Sequence, residues 1–412
     1  MTTADFRQYL MPADSPRIGM ARNVDPQTYA ARMLATPGAT ALRAEWQQRL
    51  DEPLRGITAD GVVQEGLFPL LDEGFEVEVA MDAAFALLET LTEAQRSHVH
   101  YPIDAKQWRA WYNPEIPFND FGVRLEDTSD ASKDAFRQML RACTSDKGFS
   151  KVQQLMIANL FLGELYDVTN IMNEWSFHLL MFGTPSATEP WGWSIYGHHV
   201  GFCCFILGRQ MVISPTFMGV EPNIIDRGDG HPFSLFTEEE RLGLELMQSL
   251  SADMQERATI YKLMEDPAMP PERFNFADQR HLGGAFQDNR IIPLEGVCVS
   301  EFDEAQRQKL LQTIETFIEH LPDGPRAARM KLIEQHLDET WWNWIGGCGD
   351  DDPFYYRIQS PVVMIEFDHH SGMWLTNEQP AKFHIHTITR IPNGNDYGNA
   401  LLRQYQSRHS RQ

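Results

Sequence analysis

The side chains best placed to do chemistry in this sequence are histidines, and position matters more than number. Of 14 histidines, six fall into three tight groups: His198-His199, His369-His370 and His384-Ile-His386. Neutral imidazole suits borderline divalent ions such as zinc, iron and copper. In an extended strand alternate side chains share a face, so Lys382, His384 and His386 would line one face, with Phe383 and Ile385 on the other. Two rings at that spacing can both reach an ion held about 2 Å from each nitrogen. Adjacent histidines on a regular strand point to opposite faces, so each doublet should give one ligand. His199 is chosen because it would share its face with Gly197, Gly201 and Cys203, positions where absent side chains permit close approach. His369 is chosen where the run Pro361-Val-Val-Met-Ile-Glu-Phe-Asp368 emerges. His198 and His370 are left to orient a ligand or a substrate as the catalytic partners.

Lys382 has two readings. Its ammonium can escape to solvent on the long aliphatic stem. Alternatively, carboxylation by carbon dioxide would turn it into an oxygen ligand that suits a hard or borderline ion beside imidazoles.

Other chemistries have no pattern behind them. G-x-S-x-G, Walker A, G-x-G-x-x-G and H-E-x-x-H are absent, so serine-hydrolase, nucleotide and dinucleotide readings have no motif. Cys143, Cys203, Cys204, Cys298 and Cys348 are odd in number and lack C-x-x-C spacing, which argues against a disulfide framework and a thiolate zinc site. Asp350-Asp351-Asp352 reads as a solvated loop.

The elements that must position these residues follow from periodicity. Hydrophobic residues form 42% and charged residues 23% of the 412, the balance of a folded globular chain. A net charge of −23 excludes phosphate backbones and anionic lipid surfaces as partners. The longest apolar run, 200–207, is far short of the roughly 20 residues a membrane span needs. The first residues carry no basic and apolar leader pattern, so cytoplasmic residence is expected.

Residues 26–50, 81–92, 129–142 and 150–165 carry apolar side chains at helical spacing. The aromatic segment 108–114 is expected to dock this helical part on the rest. From Trp191 the pattern becomes strand-like: 191–207, a turn at Gly208-Arg209, then 210–218. Helices are expected over 238–263, 304–321 and 327–344, and strands over 355–366 and 381–391. The tail 390–398, rich in turn formers, reads on its own as a surface loop. The expectation is an α+β fold in one integrated domain, 1–412. A mainly helical part (1–185) packs on a mostly antiparallel sheet formed by the C-terminal half (186–412), which carries the metal site.

Several motifs occur in order. They are Glu189-Pro-Trp-Gly-Trp with Gly197-His198-His199, Pro215-Thr-Phe-Met-Gly-Val-Glu-Pro222, Asp288-Asn-Arg290, Phe354-Tyr-Tyr-Arg357, Glu366-Phe-Asp-His369, His384-Ile-His386 and Arg390-Ile-Pro-Asn-Gly-Asn-Asp-Tyr-Gly398. Across roughly residues 101–403 the chain resembles the family catalogued as domain of unknown function thirty-five hundred. The resemblance implies a non-haem iron dioxygenase that opens an anthraquinone ring, with iron held by four histidines and a carboxylated lysine. Carried over position by position, it implies His199, His369, His384 and His386, with Lys382 as the carboxylated lysine.

Three functions are therefore expected to compete. The first is an iron(II) dioxygenase acting with O₂ on an aromatic or polyketide-like small molecule. The second is a zinc-type hydrolase or lyase using the same imidazoles. The third is a non-catalytic binding protein whose histidines are ordinary core groups.

Overall fold

The computed structural model describes residues 5–228, 231–275 and 277–410. The expected helix over 26–50 is two, Pro26–Leu34 and Pro37–Asp51. Pro37 cannot donate to a preceding carbonyl, and it forces Thr36 into an extended conformation with ψ 144°. Helices Val77–Thr90, Asp130–Cys143 and Asp146–Tyr166 follow. Ser129 and Ser145 cap the last two, each accepting a backbone N–H three residues on. Among the described residues no helix is long and apolar enough to cross a membrane.

Eight strands make the body of one sheet: β1 His178–Phe182, β2 Trp191–Gly197, β3 Val200–Leu207, β4 Gln210–Val220, β5 Trp341–Gly346, β6 Phe354–Gln359, β7 Met364–His369 and β8 Ile385–Arg390. They pair antiparallel in the order β1-β2-β3-β4-β8-β7-β6-β5. Short strands extend the sheet to twelve among the described residues. Two of them, His100–Tyr101 on β1 and Thr259–Tyr261 on β5, pair parallel, so the α+β fold has a mixed sheet. Every residue of β2, β4, β6, β7 and β8 is buried. Covering on both faces is why these strands read as near-continuous apolar runs without clean alternation. One hydrophobic cluster runs from Phe6 to Leu402 and joins the helical part to the sheet.

The structure departs from the periodicity in several places, for local reasons. Residues 191–207 are not one strand: His198-His199 is the two-residue turn of the β2–β3 hairpin, which the Gly197–Val200 pair closes. The helix expected over 327–344 runs from Asp323 to Gln335, and the Trp-rich segment after it becomes β5, as aromatic side chains favour a pleated, packed surface. Residues 238–263 split into Thr237–Ser249 and Ala252–Ala258, with Ser251 capping the second. Residues 355–366 split into β6 and β7 around Ser360, whose N–H donates to Val363 O at 2.8 Å. The tail is not a surface loop. Arg390 pairs with Asp288 at 2.6 Å and Asp396 at 2.9 Å, Arg109 reaches Asp288 at 2.9 Å, and all four are buried.

Candidate metal centre

The strand order β4-β8-β7 builds the site. His386 on β8 lies opposite Gly219 of β4 on one side and Asp368 of β7 on the other. Directly opposed residues share a face, so this row projects one way. Gly219 makes the room: a Cβ there would lie 2.9 Å from Cδ2 of both His199 and His386. His384 sits just before β8, in a turn closed by its N–H donating to Ala381 O at 3.1 Å. His199 comes from the hairpin turn at φ 63°, the left-handed region that non-glycine residues seldom occupy. Two backbone bonds fix it there. Its N–H donates to Asn113 O at 3.0 Å, and its carbonyl accepts from Gly219 N–H at 2.8 Å. The result is a buried group of His199, His384 and His386 whose ligand atoms all lie within 4.8 Å of one another.

Hydrogen bonds define the tautomer of one ring. His384 Nδ1 donates to Ser371 O at 2.7 Å, so its Nε2 carries a lone pair. That lone pair faces His386 Nε2 at 3.2 Å. Two imidazole nitrogens about 2.1 Å from a common ion and 3.2 Å apart subtend about 100°, within the range of ordinary coordination. On its far side His386 Nδ1 has no aligned partner, and the nearest carboxylate oxygen, Asp278 Oδ1, is 3.7 Å away.

A second buried group adjoins the first. His281, Asp368 and His370 also bring their ligand atoms within 4.8 Å of one another, and the His370 ring packs on that of His386 with centroids 3.8 Å apart. His370 lies one residue past β7 but keeps its alternation, because its N–H still donates to His384 O at 2.8 Å across the gap to β8. Glu366, Asp368 and His370 share the face of His386, whereas Ile365, Phe367 and His369 take the other.

Two of the five ligands expected from sequence are therefore not brought to the cluster. His369 packs on Phe354 and Phe367, its Nδ1 accepts the Phe354 N–H at 3.0 Å, and its Nε2 lies 3.3 Å from Glu240 Oε2. Lys382 pairs with Glu240 Oε1 at 3.0 Å and donates to Asp350 O. It lies in the turn before β8 and not on the strand, so the alternation argument that joined it to His384 and His386 does not apply. The carboxylated-lysine ligand implied by the resemblance thus does not fit these residues, whereas the imidazole set does. His198, in the hairpin turn, stacks on His199 with centroids 3.9 Å apart and donates from Nδ1 to Asn159 Oδ1 at 2.9 Å. The glycines flanking the doublet serve packing: a Cβ on Gly201 would strike Trp111, and one on Gly197 would strike Phe177. Gly219 is the glycine that opens the site. His281 had no sequence signal, being a lone histidine in an irregular segment.

The electrostatics suit ligation. Burial, reinforced by the neighbouring imidazoles, holds His199, His370 and His386 well below the usual histidine range. Burial also lowers His198 to about 4. All four are neutral near pH 7, the form that binds metal. Carboxylates surround them. Glu221, 3.6 Å from His384 Nδ1, accepts the N–H groups of Met373, Trp374 and Leu375. Burial pushes Asp278 up to about 6. Asp368 is held through Oδ1 by Arg280 at 2.7 Å, which leaves Oδ2 on the side of His370. Neutral nitrogen donors, a fixed tautomer and an anionic surround fit a borderline divalent cation.

The model of a family described as "Protein of unknown function (DUF3500)" matches residues 73–399, well over half of the chain, and the chain belongs to that family. No curated protein and no solved structure matches it.

Proposed function

For this member of the DUF3500 family we propose a metal-dependent enzyme, a non-haem iron(II) dioxygenase acting on an aromatic or polyketide-like small molecule. The observation that carries the metal is the fixed His384 tautomer, whose Nε2 lone pair faces His386 Nε2 at 3.2 Å within reach of His199. The resemblance noted in the sequence supports the reaction class. The ligands in this reading are His199, His384 and His386, with His370 alongside. An iron(II) ion held there would supply one-electron redox chemistry toward O₂.

The chain's own groups have separate tasks. Ser371 O keeps His384 in the ligating tautomer, and Asp278 faces the outer nitrogen of His386. Gly219 leaves space for both rings. His198, with Nδ1 committed to Asn159, presents Nε2 as a proton acceptor for an acidic substrate hydroxyl.

Metal analysis of protein purified without a metal-binding tag tests the reading. Iron retained by the wild type and lost in His384→Ala and His386→Ala, together with O₂ consumption on hydroxylated polycyclic aromatics, is the expected result. Zinc in place of iron would redirect the reading to hydroxide chemistry. Stoichiometric metal retained by both variants would end it.

A further inference from the structure

We propose that His281, Asp368 and His370 hold a second divalent transition-metal ion beside the ion proposed at His199, His384 and His386; the inference rests on that reading. The donors are close and dry, with ligand atoms within 4.8 Å of one another and all three residues buried.

Hydrogen bonding is the first argument. His281 is fully buried, and neither of its ring nitrogens has a hydrogen-bond partner. Leaving both ends of a buried imidazole unsatisfied is costly, and native interiors rarely do it. His370 Nε2 approaches Asp368 Oδ2 to 3.0 Å but is not aligned for a hydrogen bond. Both rings thus carry nitrogens without a hydrogen-bond partner, and their ligand atoms lie within 4.8 Å of each other and of Asp368.

Charge is the second argument. Three buried carboxylates, Asp278, Glu366 and Asp368, act electrostatically on His281. The fixed cations facing them are Arg280, bonded to Asp368, and Arg357 and Arg290, which both act on Glu366, Arg357 being itself paired with Glu295. Among the described residues no guanidinium forms an ion pair with Asp278, so its buried negative charge favours a further cation nearby. The Arg280 guanidinium holds Oδ1 of Asp368 and its backbone N–H reaches Oδ2 at 3.4 Å, so Oδ2 keeps a further lone pair with which one carboxylate can serve the guanidinium and an ion together. Two imidazoles and one carboxylate oxygen select manganese, iron, cobalt or zinc over calcium or magnesium. His370 links the two groups through its packing on His386.

The test uses full-length protein stripped with a chelator and titrated with Co(II), with bound metal counted by mass spectrometry and followed by its visible spectrum. Two equivalents are expected for the wild type and one for His281→Ala. Asp368→Asn should weaken the second equivalent about 10- to 100-fold. His384→Ala should lose the other equivalent and keep this one. A wild type that saturates at one equivalent, lost in His384→Ala but unchanged in His281→Ala, overturns the second site and leaves the first. No binding at all overturns both. Should His281→Ala fail to fold, wild-type crystals soaked in Co(II) decide the matter by anomalous scattering. A peak at each histidine group supports the proposal, and a single peak at His199, His384 and His386 refutes it.

Discussion

Replacing Gly219 by Ala adds one methyl group at the point where three strands' worth of geometry converge. Its Cβ would lie 2.9 Å from Cδ2 of His199, 2.9 Å from Cδ2 of His386 and 3.1 Å from Ile385 O. Carbon atoms settle at about 3.5–4.0 Å, so each ring must withdraw by about 0.6 Å or more. A metal constellation tolerates displacements of only about 0.5 Å. The glycine is not at positive φ, so alanine fits the backbone and the cost is steric. Overpacking of this kind costs about 1–3 kcal/mol of stability. The displaced ligands should lose about 10- to 100-fold in metal affinity, or about 1.4–2.7 kcal/mol. Thermal unfolding with and without metal separates the two effects. The variant should melt lower without metal, and the stabilisation it gains at fixed metal concentration should shrink by the affinity loss. If Gly219→Ala folds and gains the full wild-type stabilisation from metal, the rings do not hold an ion at the positions described.

The residues the structure sets apart from the cluster make a contrasting case. Lys382→Ala should leave metal content unchanged and insensitive to bicarbonate, losing at most about 1 kcal/mol from its partly exposed pair with Glu240. His369→Ala should also keep its metal but lose about 1–3 kcal/mol, because the buried Phe354 N–H loses its acceptor. Metal analysis with denaturant unfolding checks both. The pH dependence of stability has a defined sign at His320, which burial lowers to about 3. Its folded value lies below the unfolded one, so below about pH 6.5 the unfolded chain takes up a proton that the folded chain refuses. The stability tied to neutral His320 is therefore present above pH 6.5 and is lost as pH falls toward 3. Urea unfolding of His320→Gln should show a slope against pH near 5 that is shallower than the wild type's by about one proton, or about 1.4 kcal/mol per pH unit. An unchanged slope would mean that His320 is not buried as the neutral base.

Histidine clustering marked His384 and His386, but alternation alone does not join them: His384 lies in the turn before β8 and is turned toward His386 by its Nδ1 donating to Ser371 O at 2.7 Å. The same alternation, applied to Glu366, Asp368 and His370, holds the signal for choosing His370 over His369. It becomes decisive only once Asp368 is known to lie opposite His386, because a lone strand does not say which of its faces meets which neighbour. Helical spacing located most helices because their buried stripes repeat locally. It failed at the Trp-rich 341–346, where burial on both faces erases the difference between helix and strand patterns.

Other features depend on long-range pairing. The β2–β3 hairpin put His199 in a turn and not on a strand, the adjacent β3–β4 pairing set Gly219 beside it, and the β4–β8 pairing brought His386 to the same glycine from a distant part of the chain. The irregular segment 277–290, pinned by the buried Glu366 and Asp368, delivered His281, a residue with no sequence neighbour to mark it. Lys382 left the ligand face because the chain turns before β8 begins. The sequence by itself determined which residue types could bind a metal and that they sit beside strands. Strand order and register, set by contacts between residues far apart in the chain, decided which of those residues face one another.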